Sequence, residues 1–165
     1  MILRIDHVGL VTDDPAAAGR AMAVLGMLMV DGGVAPDYGV ACEFWQHRDG
    51  AGQPGQFGQP GHGQLGQPAV ELVSPARNDS AVTDYLSRKG PGLYHIAFEV
   101  DDLEYEMVRL KENGFVPVDR EPCTGARAGM RVAFLYVRKP VGLLIELVQY
   151  SATTDSHPAG DRMSR

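Results

Sequence analysis

Two cysteines in 165 residues, Cys42 and Cys123, are too few for a disulfide framework, and nothing at the N-terminus reads as a secretory signal stretch. The expectation is a reduced chain in the cytoplasm. Basic residues are outnumbered: 15 Lys and Arg stand against 21 Asp and Glu, a net charge of −6. Phosphate backbones require clustered cations, so a nucleic-acid partner is not expected. No apolar run approaches the roughly 18 residues of a membrane span, and no membrane partner is expected either. The hydrophobic share of 44% is ordinary for a soluble globular protein, and the length suits one domain, or two small modules on one core.

What the chain has instead is a repeat. Asp6-His7-Val8-Gly9-Leu10-Val11-Thr12-Asp13-Asp14 is answered by Tyr94-His95-Ile96-Ala97-Phe98-Glu99-Val100-Asp101-Asp102. In both copies an Asp pair begins six residues after the His, and a Gly stands nineteen residues after it, Gly26 and Gly114. Each copy later reaches an apolar run with one Glu inside: Ala69-Val70-Glu71-Leu72-Val73 and Leu144-Ile145-Glu146-Leu147-Val148.

Periodicity and punctuation place strands at 2–11, 27–30, 39–46, 69–73, 93–100, 115–119, 130–137 and 142–150. Helices are expected over 15–25, behind an acidic cap and Pro15, over 81–88 after Asn78-Asp79-Ser80, and over 101–113, with Leu103, Met107, Val108 and Leu110 toward the core. Asp31-Gly32-Gly33 has turn chemistry. Residues 49–68, rich in Gly, Gln and Pro, read as a mobile loop, a plain insertion or a lid over a pocket, and 151–165 as a disordered tail. One domain over 1–150 is expected, with a first module of about 1–75 and a second of about 92–150. Each module reads strand, helix, three strands, so the class is α+β with a curved, largely antiparallel sheet.

Facing modules bring His7, Glu71, His95 and Glu146 together. Two imidazoles and two carboxylates suit a divalent cobalt, nickel, zinc, manganese or iron ion, whose charge the carboxylates offset. Taken singly, a strand His is a core residue and a strand Glu can face outward. The repetition favours ligands, because an apolar strand buries Glu146 cheaply only beside a cation.

On these residues the chain resembles the vicinal oxygen chelate superfamily, and within it the methylmalonyl-CoA epimerases. The likeness runs over about residues 2–150, apart from the Gly/Gln loop. It rests on Ile5-Asp6-His7-Val8-Gly9, on Val70-Glu71-Leu72-Val73-Ser74-Pro75, on Lys89-Gly90-Pro91-Gly92-Leu93-Tyr94-His95-Ile96-Ala97-Phe98-Glu99-Val100-Asp101-Asp102, and on Gly142-Leu143-Leu144-Ile145-Glu146-Leu147. The resemblance implies paired βαβββ modules in a cupped mixed sheet, a homodimer, and the four residues above as metal ligands. It further implies a small-molecule acyl-CoA thioester substrate, epimerised by proton abstraction through a metal-stabilised enolate.

Glu146 is the first candidate acid/base, doubling as ligand. The catalytic Glu of some family members falls, counting from Gly39, on Cys42; Glu43, one residue further, is the second candidate, although one residue swaps sheet faces unless a bulge intervenes. Arg127, in Gly125-Ala126-Arg127-Ala128-Gly129, is either a solvated loop residue or a partner for a substrate carboxylate or phosphate. Two other readings stand beside this one: a glyoxalase-type isomerase or other metal-assisted lyase, and a metal-free small-molecule-binding protein.

Overall fold

The structure, a computed structural model, describes residues 1–47 and 67–151. The expectations for the Gly/Gln loop and for the tail fall almost wholly outside those residues. The elements are β1 (Ile2–Val11), α1 (Pro15–Val24), β2 (Met27–Ala35), β3 (Val40–His47), β4 (Ala69–Pro75), α2 (Thr83–Lys89), β5 (Gly92–Val100), α3 (Leu103–Glu112), β6 (Val116–Pro117), β7 (Cys123–Thr124), β8 (Met130–Val137) and β9 (Leu143–Tyr150). The class is α+β.

All strands join one mixed sheet in the order β2-β3-β4-β1-β5-β9-β8-β6, with β7 on β8. The first strand of each half lies parallel to the last, β1 beside β4 and β5 beside β9, and the halves meet along the antiparallel pair β1–β5. Strand β3 lies five steps from β8, about 24 Å across a flat sheet at the usual spacing. Yet Tyr38, two residues before β3, meets Phe134 of β8 edge to face with ring centroids 5.2 Å apart. The sheet is therefore curled into a cup.

Helices α1 and α3 cover its outside. Asp14 and Asp102 cap α1 and α3, their carboxylates accepting from Ala17 N and Tyr105 N at 2.9 Å each. Leu103 and Leu110 of α3 pack on Ala133, Leu135, Ile145 and Leu147, while Met22 and Met27 close over Leu72. Val108, expected in that core, faces solvent; the buried face of α3 holds Leu103, Glu106 and Leu110. The asparagine-to-serine run before α2 does not cap it either. Val82 is the N-cap, with no side-chain bond, and Ser80 pairs with the Thr83 hydroxyl instead.

Two stretches differ from expectation for reasons of backbone contact. Asp31-Gly32-Gly33 stays inside β2, with a bulge between Met29 and Asp31. Gly33 is there for close approach: a Cβ on it would stand 1.9 Å from the carbonyl oxygen of Ala126. The strand expected over 115–119 stops at Pro117, because Asp119 turns its carboxylate inward to accept from Phe134 N and Tyr38 Oη, both at 2.7 Å.

Candidate metal centre

The four central strands each deliver one functional group to the inside of the cup. Pairing sets Glu71 and His95 on either side of Gly9, while Ala97 lies between His7 and Glu146. The small residue between each pair is part of the design. A Cβ on Gly9 would fall 2.3–2.6 Å from the His95 ring, so only glycine leaves that imidazole its place.

The result is a cluster of electron-pair donors. Glu146 Oε2 lies 2.9 Å from His7 Nε2 and 3.0 Å from His95 Nε2. Glu71 Oε2 lies 3.3 and 3.2 Å from the same two atoms, and the imidazoles stand 3.1 Å apart. All four ligand atoms fall within 4.8 Å of one another, and all four residues are buried. Neighbouring ligands about 2.1 Å from a shared ion stand about 3.0 Å apart when they subtend a right angle. The donor set thus fits a divalent cation on both chemistry and spacing. Lone pairs packed this closely also repel each other unless a positive charge joins them.

Protonation tells the same story. Burial disfavours charge on every group, yet the carboxylates of Glu71 and Glu146 hold the His7 imidazole well above its ordinary value and raise that of His95. Burial likewise opposes ionisation of Glu71 and Glu146, but the imidazoles draw Glu71 well below the usual carboxylate range and lower Glu146.

Around the quartet the cleft is mostly apolar, with Val40, Val73, Val132 and Phe134 among its walls and Cys42 and Tyr94 facing it. Phe44 and Phe134 sit at matching positions, each paired across the sheet with a ligand Glu and each edge-on to a ligand His, at 5.5 and 5.3 Å. Neither was singled out in the sequence. The spacing from Phe to Glu would have shown the repeat, had the Gly/Gln insertion not lengthened it in the first half.

Two expected site residues are not brought to this cleft. Strand β3 pairs with β4 without a register break, so Glu43 points to the outer face. There it accepts from Trp45 Nε1 at 3.2 Å, close to Gly19 of α1, and Cys42 takes the inner position. Burial, followed by the nearby Glu71 carboxylate, pushes the Cys42 thiol far up, which keeps it a neutral wall of the cleft. Arg127 is buried rather than solvated, with its guanidinium over the Phe44 ring at 3.4 Å and its Nη1 donating to Tyr150 Oη at 2.7 Å. It reaches neither the cleft nor bulk solvent.

The sequence model of the Glyoxalase/Bleomycin resistance protein/Dioxygenase superfamily matches residues 6–134. The chain belongs to this superfamily. Among characterised members, the ethylmalonyl-CoA/methylmalonyl-CoA epimerase of Cereibacter sphaeroides is 31% identical over 152 residues, covering 90% of this chain and 99% of the relative. The human mitochondrial methylmalonyl-CoA epimerase is 31% identical over 121 residues, 69% of this chain and 68% of the relative. The uncharacterized Bacillus subtilis protein YqjC is 37% identical over 86 residues, 52% of this chain and 61% of that protein. Among solved superfamily structures, a Streptomyces coelicolor methylmalonyl-CoA epimerase variant in complex with 2-nitronate-propionyl-CoA superposes with a TM-score of 0.73 at 28% identity, over 92% of this chain and 100% of that one. The methylmalonyl-CoA epimerase of Mycobacterium tuberculosis gives 0.72 at 26%, over 91% and 89%. The cupped sheet is the superfamily's fold.

Proposed function

We propose that this chain is a metal-dependent epimerase of methylmalonyl-CoA or a similar acyl thioester, with His7, Glu71, His95 and Glu146 as the metal ligands. The observation that carries this is the convergence of four buried donor atoms within 4.8 Å at the floor of a cleft that is otherwise nearly apolar. Likeness to epimerases along nearly the whole chain supports the substrate class.

A divalent ion held there supplies Lewis-acid stabilisation of the negative charge that develops on substrate oxygens as the carbon beside the thioester loses its proton. The protein's own part is proton handling. Glu146 and Glu71 are held ionised, so either carboxylate can accept a proton and return it. They come from opposite halves of the cup, on either side of the two imidazoles, and inversion requires proton access to both faces of one carbon. With Glu43 on the outer face and Cys42 neutral, these carboxylates are the acid/base groups of the cleft. The apolar walls exclude competing water, which strengthens every charge interaction inside. The same reading carries a cytoplasmic homodimer without nucleic-acid or membrane partners, and the apolar Ile2, Leu3 and Ile5 exposed along β1 suit a covered surface. Among the described residues, no helix is long and apolar enough to cross a membrane.

Deuterium exchange at the α-carbon of methylmalonyl-CoA, followed by NMR, tests the proposal. Wild-type protein with Co2+ exchanges that position, and Glu146→Gln loses about 10²- to 10⁴-fold, the usual worth of a positioned acid/base. Turnover of a methylglyoxal–glutathione adduct with no exchange would replace this reading with the glyoxalase-type one.

A further inference from the structure

The bulged residue that precedes each ligand His differs between the halves. Against β5, strand β1 has one extra residue between Ile5 and His7, namely Asp6; against β1, strand β5 has one extra between Leu93 and His95, namely Tyr94. A bulge re-aims its side chain. At Tyr94 that leaves a phenol ring in the cleft wall. At Asp6 it brings a carboxylate to His7, with Oδ2 accepting from Nδ1 at 2.8 Å.

A carboxylate only accepts, so the His7 proton sits on Nδ1 and the Nε2 lone pair faces the other ligands. Asp6 is itself fixed on both oxygens. Arg4 Nη2 donates to Oδ1 at 3.1 Å; Tyr150 Oη donates to Oδ2 at 3.1 Å, and Arg127 Nη1 approaches the same oxygen at 3.4 Å. His95 has no such support: its Nδ1 is buried without a hydrogen-bond partner among the described residues.

Resting on the metal-binding reading above, we propose that Arg127 and Tyr150 are positioning residues that act through Asp6 to set how tightly the quartet holds its cation. Arg127 works on Asp6 from a fixed seat. Its guanidinium lies on the face of Phe44, whose ring meets the His7 ring edge to face, and its Nη1 holds the Tyr150–Asp6 pair. The loop that carries it belongs to the second half yet sits on Gly33 of the first, where a side chain would collide with Ala126. One ligand of the first half is therefore aimed by residues of the second. An ionised, immobile acceptor on Nδ1 makes Nε2 a better donor and stops the ring from turning; losing such a partner costs about 10–100-fold in metal affinity.

The test is Co2+ affinity, measured by competition with a chromophoric chelator, for wild type, Asp6→Asn, Tyr150→Phe and Arg127→Met, with circular dichroism and metal-free melting as controls on the fold. Met retains an apolar stem over Phe44. Asp6→Asn is expected to weaken Co2+ by about 10–100-fold, and Tyr150→Phe and Arg127→Met by about threefold to tenfold, all with native circular dichroism. The double variant Asp6→Asn with Arg127→Met is expected to be no weaker than Asp6→Asn alone, since the arginine acts through the carboxylate; a purely structural arginine would add its own loss. Unchanged Co2+ affinity in Tyr150→Phe overturns the proposal even if Arg127→Met fails to fold, and so does full additivity in the double variant. Wild-type protein that takes up no Co2+ overturns the metal reading and this proposal together, whereas wild-type uptake with unaltered variants overturns this proposal alone.

Discussion

The two halves of the cup match in their ligands and differ in what stands behind them. Both offer a His from the first strand, a Glu from the last, a Phe opposite that Glu and a small residue opposite the His. Behind His7 lies a set of charges and a phenol, the buried Asp6 and Arg127 with the partly buried Arg4 and Tyr150; behind His95 the bulge carries Tyr94, which packs edge to face on His95 and Tyr85. Duplication thus accounts for the metal centre, and divergence for its two sides. The first half holds its imidazole by hydrogen bonds, whereas the second holds it by shape.

Shape is the more fragile device, and Gly9→Ala should break it. The added carbon would lie within 2.6 Å of three atoms of the His95 ring. Overpacking of this kind costs about 1–3 kcal/mol. The expected outcome is a lower melting temperature and metal affinity reduced by about a hundredfold or more, from the loss of one ligand and the shift of its neighbour. Ala97→Gly, the matching position of the second half, adds no clash. It should cost no more than the 0.5–1 kcal/mol of an ordinary strand glycine. Equal effects at the two positions would erase the distinction.

The pH dependence separates the protons of the quartet from its cation. Glu71 and Glu146 have folded values below the ordinary 4.5, so their share of stability is present above that value and is lost as pH falls through the lowered ones. His7 and His95 have folded values above 6.5, so theirs is complete below 6.5 and is lost as pH rises through the raised ones. Chelator-stripped protein should therefore gain most from the quartet between about pH 4.5 and 6.5 and decline above it. Metal requires deprotonated ligands, so the melting difference between loaded and stripped protein should widen from pH 6 to pH 8. Calorimetry at several pH values reads both trends, and a difference that narrows upward would contradict the assignment.

The smallest expected effect sharpens the same contrast. Tyr94→Phe removes only a hydroxyl from the half that relies on shape. Co2+ affinity should stay within about threefold of wild type, against the larger loss at Asp6.

The sequence carried the repeat well because the ligands, the two aspartate caps and the helix ends keep fixed spacing in both halves. Strand existence was legible from apolar runs for the same reason. The path of β2 was not, since Gly33 is there for a carbonyl 93 residues away, and no local signal distinguishes that from a turn. The places of Glu43 and Arg127 were not legible on similar grounds. A one-residue choice of sheet face depends on register, and the burial of Arg127 depends on Phe44, Asp6 and Tyr150 gathering from three separate strands. Asp6 stood in view beside His7, but its bulge, and hence its reach, is a property of the pairing with β5.

Isothermal titration of chelator-stripped protein with Co2+, repeated on His95→Ala and Glu146→Gln, tests the shared cation most directly. The account predicts one ion per chain for wild type, with saturable absorbance of a nitrogen- and oxygen-ligated centre, and affinity lost by about a hundredfold or more in each variant, although the two residues come from adjacent strands. Stoichiometric binding that survives both substitutions would place the ion elsewhere and contradict it.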